Sequence, residues 1–597
     1  MFQMFRGLAR LPPVAVTVEL TQLTGDALPL CRQWVAVVHR IKRENPMNEN
    51  TEFDYIVVGA GAAGCVVASR LSEDSTISVC LLEAGGPDTN PLVHMPAGVA
   101  AMVPTSINNW QYQTVPQSGL NGRVGYQPRG KTLGGSSSIN AMAYHRGHPE
   151  DFNRWAALGN PGWSYREVLP FFKRAEHNEH FNDPLHGQNG PLNVRFHSSP
   201  NPFGETFVEA GLQAGYPACP DQNGATMEGF GRVQVMQKDG QRCSAAKAYL
   251  TPNRHRPNLR IETHAHATRI LLDGKRAVGI EFVQNGVKRS LRARHELILS
   301  SGAFNSPQLL MLSGVGPKGE LLKFDIPVVH ELPGVGQNLV DHIDYVHSYR
   351  VKSRRLIGLS LAGAWDIAKA AVTYWRRRCG PLTSNFAEAC AFVKTSKDLA
   401  QADIELALTI AMFADHGRTL YRGHGLSVHA CLLHPKSVGQ LTLASADPMV
   451  PPLIDPAFLT HPDDIKTLIE GYRVIENVMA TPAFKAFSPK GVIDSPMNTD
   501  AEIEQVLRER SDTLYHPVGT CKMGSDALAV VDARLNVHGL QGLRVADASI
   551  MPTIIGCSTT AATVMIGEQA AEFIRQDRAA LTYASNPHES SALHHPA

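Results

Sequence analysis

The chain has no CxxC pair and no group of cysteines and histidines at zinc-ligand spacing. Its ten cysteines therefore form neither a metal framework nor a dithiol redox motif, and no metal ligand set is expected. It has no apolar run of 18 residues, which excludes a helix crossing a bilayer. It has no internal repeat, which excludes a solenoid or propeller. It has almost no net charge: 56 Lys and Arg against 55 Asp and Glu leave a formal +1. The basic excess that a nucleic-acid partner would require is missing. Scattered cysteines, two of them (Cys80 and Cys431) inside apolar strand-like runs, behave as small hydrophobes and fit reducing, cytoplasmic surroundings.

What is present points to a large enzyme. A length of 597 residues is more than one core usually serves, so two or three domains are expected. Hydrophobic residues make up 43%, enough for a sizeable core, and 50 glycines with 39 prolines indicate a loop-rich chain.

The most specific local signal runs from Asp54 to Glu83. A β-branched strand ends in Gly59-Ala60-Gly61-Ala62-Ala63-Gly64, a helix is predicted over Ala62–Leu71, and a second strand is predicted over Ile77–Leu82. Glu83 follows 19 residues after the third glycine. Gly59 permits the tight turn, Gly61 lets backbone approach a pyrophosphate, and Gly64 lets the helix pack on the sheet. The helix N-terminus offers N–H groups and a positive dipole end to phosphates. Glu83 can accept from a ribose diol and repels a 2′-phosphate. A bound dinucleotide follows. A second glycine cluster, Arg129-Gly130-Lys131-Thr132-Leu133-Gly134-Gly135-Ser136-Ser137-Ser138-Ile139-Asn140, reads as a backbone cradle for a flat, phosphate-bearing cofactor, with Asn140 as a hydrogen-bonding side chain.

With these residues in place, the chain resembles the glucose-methanol-choline (GMC) oxidoreductases, an FAD-dependent family. Gly130–Asn140 resembles the first family signature and Gly302–Gly316 the second. Leu332–His342, Tyr515–Gly524 and Leu543–Thr553 resemble further family segments, in family order, and the likeness covers about Glu52 to Arg575. The fold implied is α/β: a Rossmann-type FAD-binding domain interleaved with an α+β substrate-binding domain. Further strands are predicted at Asn258–Thr263, Ala277–Val283 and Glu296–Ser300, a helix over Ser306–Ser313, and a closing helix near Thr559. The expected division is an extension at 1–51, a region at 52–348 holding the FAD-binding core and part of the substrate domain, a substrate segment at 349–435, a catalytic region at 436–577, and a tail at 578–597, fraying from about Thr582. Three readings of residues 1–46 stay open: an upstream start with Met47 the true one, a disordered or loosely helical extension, or a targeting segment. Glu19, Asp26 and Glu44 weaken the last.

The resemblance implies site residues. FAD contacts would come from Gly59, Gly61, Ala62, Ala63, Gly64, Glu83, Leu133, Gly135, Ser136, Asn140, Ala141, Met142, Ala143, Ala267, Asp547 and Ala548. Oxidising an alcohol with a flavin moves a hydride to N5 and a proton to a base. His516 lies in the segment matching the family's catalytic histidine, and histidine titrates near neutral pH. The partner position, Asn or His in the family, falls on Thr560, which can donate one hydrogen bond but cannot serve as a base near pH 7. Ile139 occupies the position at which some members tether FAD through histidine, so FAD is expected to be non-covalent.

Gly380–Ala389 and Ala414–Ser437 resemble the choline dehydrogenase-like and aliphatic alcohol dehydrogenase branch. This implies a primary alcohol donor (aliphatic, aromatic or choline-like) and a quinone or dye acceptor, with which peripheral membrane association is compatible. Trp365, Tyr374, Trp375 and Glu388 are candidates for a cage around a quaternary ammonium. Oxidase and dehydrogenase both remain open. A hydroxynitrile lyase-like or other non-oxidative use of the fold is the alternative.

Overall fold

The computed structural model describes residues 51–585. The extension expected at 1–51, apart from Thr51, and most of the tail expected at 578–597 lie outside them. Strand β1 (Glu52–Val58), helix α1 (Ala62–Leu71) and strand β2 (Val79–Leu82) form the predicted βαβ start, with α1 at the predicted bounds. β2 begins two residues late. Ile77 N–H closes a turn onto Asp74 O (3.1 Å), and Ser78 N–H donates to the Asp54 carboxylate (2.8 Å), so both lie outside the ladder. β1 and β2 are parallel, with Val57 opposite Leu81.

After β3 (Gly229–Arg232), which belongs to a second sheet, β4 (Leu259–Glu262) pairs in parallel with β2. β5 (Ala265–Asp273), β6 (Arg276–Gln284) and β7 (Val287–Leu299) form an antiparallel meander. The sequence reading recovers only the last part of β7. Its first half exists because Asn285 and Gly286, at φ 52° and 77°, make a two-residue hairpin turn that pairs Gln284 with Val287. The second half of β7 runs parallel to β1, giving the order β4-β2-β1-β7-β6-β5. α2 (Gly302–Leu312) follows and starts four residues before its predicted bound. Asp547, 245 residues along the chain, accepts hydrogen bonds there from Gly302 N–H (2.9 Å) and Ser306 Oγ (2.6 Å).

The second sheet is antiparallel. β8 (Ile343–Arg350) precedes helix α3 (Leu361–Arg377). β9 (Ala387–Val393), β10 (Ile404–Thr409) and β11 (Gly423–Leu432) follow, and the order is β8-β11-β10-β9-β3. Its faces separate by strand period. Ile404, Leu406, Leu408, Leu426, Val428 and Ala430 are buried in a core shared with Leu468 and Ile475 of helix α4 (Pro462–Met479). Glu405, Ala407, Thr409, His429 and Cys431 point the other way, into a cavity. β12 (Leu543–Val545) then returns to the first sheet as a seventh strand, parallel to β7.

Helix α5 (Thr560–Ser585) closes the fold against α1. At Gly567 an added Cβ would come within 2.8 Å of Ala63 O, so only glycine allows this approach. Buried Glu568 on α5 pairs with Arg70 (2.8 Å) and Arg174 (2.7 Å) and accepts from Tyr249 Oη (2.7 Å). The helix continues to Ser585, beyond the boundary expected at 577 and past Thr582, where fraying is expected. The first sheet thus draws strands from both ends of the described chain and the second from between them, which is the interleaving expected from the sequence. All nine cysteines among the described residues are free, with Cys80 on β2 and Cys431 on β11 buried as expected.

Candidate active site

A cavity of about 730 Å³ lies between the two sheets. Its volume is that of a cofactor-sized pocket. One end is the turn after β1. A Cβ on Gly59 would lie 2.5 Å from Ser300 O, and one on Gly135 would lie 2.8 Å from Gly61 Cα, so the two glycine clusters meet backbone against backbone. Gly59, Gly61, Ala62, Ala63, Glu83, Gly135, Ser136, Asn140, Ala141, Met142, Ala143, Ala267, Asp547 and Ala548 all line the cavity.

Two predicted positions do not. Gly64 faces the strand, where a Cβ would meet Gly59 O at 1.9 Å, so its part is helix packing. Leu133 is 3% exposed in the main core and touches the site only by shaping the loop.

Glu83 does more than the sequence implied. Its two oxygens accept from Ala60 N–H (3.0 Å) and Gly85 N–H (2.8 Å), which braces the glycine turn. Burial pushes its carboxyl up to about 7 against the pull of these two bonds. The Asp547 carboxylate is engaged by Gly302, Ser306 and Ser549 N–H (2.8 Å), so it builds the cavity wall as a helix cap.

The residues present fit an FAD. The glycine cradle would be filled by any side chain, and the N-terminal end of α1 opens on it. Arg129 Nη2, in the cavity wall, has no hydrogen-bond partner among the described residues. Gly59, Gly61, Gly135 and Ser136 would hold the diphosphate and Glu83 the ribose. The Ala141–Ala143 and Asp547–Ala548 backbone would meet the ring system.

At the other end lies His516. Its backbone N–H donates to buried Asp341 (2.8 Å), whose other oxygen accepts from Thr513 Oγ1 (2.6 Å). Tyr515, immediately before it, has φ 73°, a strained value for a bulky residue; Phe386 (73°) and Met142 (60°), also in the cavity wall, share this strain. His516 Nδ1 lies 2.9 Å from Nδ1 of His342. The other nitrogen of His342, Nε2, lies 2.9 Å from Leu433 O. A carbonyl only accepts, so His342 Nε2 carries the hydrogen. Burial, followed by the field of His434, holds His342 neutral down to about 3, so its Nδ1 is a bare acceptor. His516 Nδ1 must then donate, and Nε2 of His516 is left as an unprotonated base. Burial, then His342 and Arg129, keep His516 well below the usual histidine range.

Thr560, the first residue of α5, also lines the cavity. Asn140 Nδ2 donates to Thr560 Oγ1 (3.1 Å), and the Asn140 orientation is fixed because its Oδ1 accepts from Met142 N–H (3.0 Å) and Arg242 Nη1 (2.9 Å). With Oγ1 accepting from Asn140, the hydroxyl proton of Thr560 is available to an oxygen in the cavity. Ile139 also borders the cavity and offers only an alkyl side chain.

Residues that the sequence reading did not single out complete the site. His429 Nδ1 is 2.6 Å from Asp344, and burial, which favours its neutral form, is outweighed by Asp344 and Glu405, so His429 stays protonated above the usual range. Burial raises Glu405 to about 8. Their only sequence signal is the alternation along β10 and β11.

The four candidate residues do not form an ammonium cage. Trp365 and Trp375 are 63% and 60% exposed on the outer side of α3, Tyr374 packs beneath that helix, and Glu388 accepts from Ser384 Oγ (2.6 Å) and Asn201 N–H (3.0 Å). None lines the cavity. The period of α3 sends both tryptophans outward. The wall on this side is instead apolar, with Ile357, Leu359, Ile367, Met412, Phe413 and Leu420.

Two family models described as GMC oxidoreductase match residues 53–344 and 435–567. An alcohol dehydrogenase [acceptor] of Pseudomonas putida is 45% identical over 526 residues, covering 87% of this chain and 95% of the relative. The mitochondrial choline dehydrogenase of Mus musculus is 40% identical over 572 residues, covering 92% of each. Among solved structures, pyridoxine 4-oxidase from Mesorbium loti superposes with TM-score 0.78 at 29% identity, covering 88% of this chain and 99% of that one. A formate oxidase superposes with TM-score 0.83 at 28% identity, covering 89% and 99%.

Proposed function

The chain belongs to the GMC oxidoreductase family, and on that premise we propose that it oxidises a primary alcohol with an apolar chain to the aldehyde, with His516 as the base. It is an FAD-dependent enzyme acting on the CH–OH group of alcohols. FAD, when bound, supplies the acceptor for the hydride that leaves the carbinol carbon.

The protein's own part is to receive the proton and hold the oxygen. His516 Nε2 takes the hydroxyl proton, which removes the cost of developing a positive charge on oxygen as hydride departs. His342 keeps that nitrogen unprotonated beforehand by accepting from Nδ1. As Nε2 gains the proton, the same hydrogen bond strengthens and stabilises the imidazolium. Thr560, oriented by Asn140, donates to the substrate oxygen.

The observation that carries the substrate class is the apolar wall at the outer part of the cavity, Ile357, Leu359, Ile367 and Leu420, with none of Trp365, Tyr374, Trp375 and Glu388 among the lining and with the Asp344 charge already paired to His429. This supports an aliphatic or aromatic alcohol over choline. The acceptor in this reading is a quinone or an artificial dye; the name of the Pseudomonas putida relative specifies an acceptor without saying which. A lyase reading of the Thr560 position is not favoured, because the relatives are dehydrogenases and two of the similar solved structures are oxidases.

A panel of primary alcohols of increasing chain length, with benzyl alcohol and choline, in a dye-reduction assay with and without O₂, tests this reading. Medium-chain and aromatic alcohols should exceed choline in kcat/KM by at least about tenfold, a difference of one buried cation. Preference for choline would overturn the substrate class, and turnover that needs O₂ rather than dye would overturn the acceptor.

A further inference from the structure

Helix α3 carries an apolar strip that nothing among the described residues covers. At about 100° per residue, Leu361, Trp365, Val372 and Trp375 fall within an arc of about 80° on one side. They are 94%, 63%, 53% and 60% exposed. The opposite side of the helix is seated on the protein through Gly363, Ala370 and Tyr374.

The strip does not end at the helix. Leu359, two residues before Leu361 and 50% exposed, also lines the cavity, as does Leu420 at 56%. One apolar surface therefore runs from α3 to the rim of the active-site cavity. Monomeric soluble proteins rarely leave such a surface bare.

Its rim is basic. Residues 350–378 hold eight Lys and Arg against a single acid, Asp366, a local excess of seven in a chain whose total is +1. Lys369 lies over the Trp365 ring at 5.3 Å, and Arg378 over Trp375 at 5.3 Å. Arg376 and Arg377 are exposed in the last turn.

We propose that the outer side of α3, with Leu359 and Leu420, docks on the surface of an anionic lipid bilayer, so that the mouth of the cavity opens at the membrane. An apolar side bearing tryptophan and leucine, edged by Lys and Arg, is the pattern of a helix lying in the bilayer interface. Lys369, Arg376 and Arg378 at its edge match anionic headgroups and oppose self-association through the same surface, since two copies would bring like charges together. No helix among the described residues is long and apolar enough to cross a membrane, so the contact is a surface one. Apolar alcohols and quinones partition into lipid, so the arrangement would draw both substrates of the proposed reaction from the bilayer. The docking itself does not rest on that reading.

The test uses the FAD-loaded full chain with vesicles of phosphatidylcholine alone or mixed with phosphatidylglycerol. The protein should sediment with the anionic vesicles, less so at raised salt. The double variant Trp365→Ser/Trp375→Ser should lose at least about tenfold of that partitioning while keeping its rate with a water-soluble alcohol and dye. Wild-type protein that stays in the supernatant with anionic vesicles would overturn the proposal. So would a double variant that sediments as wild type does, because binding would then come from another part of the chain. Because the soluble assay is read separately, a failure of docking and a failure of the alcohol chemistry give different results.

Discussion

His342 and His516 face each other through their Nδ1 atoms at 2.9 Å, and the carbonyl of Leu433 on the far side of His342 decides which of them carries the shared hydrogen. The consequence is a chain of three fixed roles: a carbonyl that only accepts, an imidazole held neutral, and a second imidazole whose Nε2 is free to take a proton.

His342→Leu removes the acceptor for His516 Nδ1 and leaves the His516 tautomer unset. A wrong tautomer at a catalytic histidine is costly, so kcat should fall by about 10² or more with flavin content unchanged. His342→Gln, whose amide oxygen can accept from Nδ1, should recover part of the loss. Equal activity of the two variants, measured at saturating alcohol, would remove the tautomer role.

Thr560→Val deletes the hydroxyl and leaves Asn140 Nδ2 without its acceptor. A lost oxyanion-type donor costs about 10²–10³ in rate, and Thr560→Ser should retain most activity. Unchanged kinetics in the Val variant would take Thr560 out of the mechanism.

The pH profile follows from the direction of the His516 shift. Burial, His342 and Arg129 favour its neutral form, so the base stays unprotonated to lower pH than an ordinary histidine near 6.5. The acid limb of kcat/KM should therefore lie below about pH 6.5. Arg129→Met removes one of the repelling charges and should move that limb to higher pH. A limb above pH 7 in the wild type would contradict the assignment.

Ile139 can form no bond to a flavin, and it borders the cavity where a tether would have to arise. Acid precipitation should release FAD quantitatively into the supernatant. Yellow colour that stays with the pellet would show a covalent attachment elsewhere.

The dinucleotide end was legible because its parts are local: three glycines, a helix start and an acid within 25 or so residues determine the turn by backbone sterics alone. His516 was legible only through family resemblance, since nothing about one histidine among 25 marks it. His342 lay inside a quoted motif, but its role needs the Leu433 carbonyl, 91 residues away. Glu405 and His429 are brought to the cavity by antiparallel pairing of β10 and β11, and strand period says that they share a side without saying what that side faces. The early start of α2 needs Asp547 as a cap from the far end of the chain. Trp365 and Trp375 are candidates for a cage in the sequence because helix period does not reveal which side of α3 meets the protein; in the structure both face outward.

In the proposed reaction His516 takes the alcohol's proton while the carbinol hydride departs. Mixing the enzyme anaerobically with a medium-chain primary alcohol and following the flavin absorbance isolates that step from the electron acceptor. Wild-type protein should bleach, and His516→Ala, still carrying FAD, should bleach more slowly by about 10²–10⁴. Bleaching of His516→Ala at more than about a tenth of the wild-type rate would contradict the account.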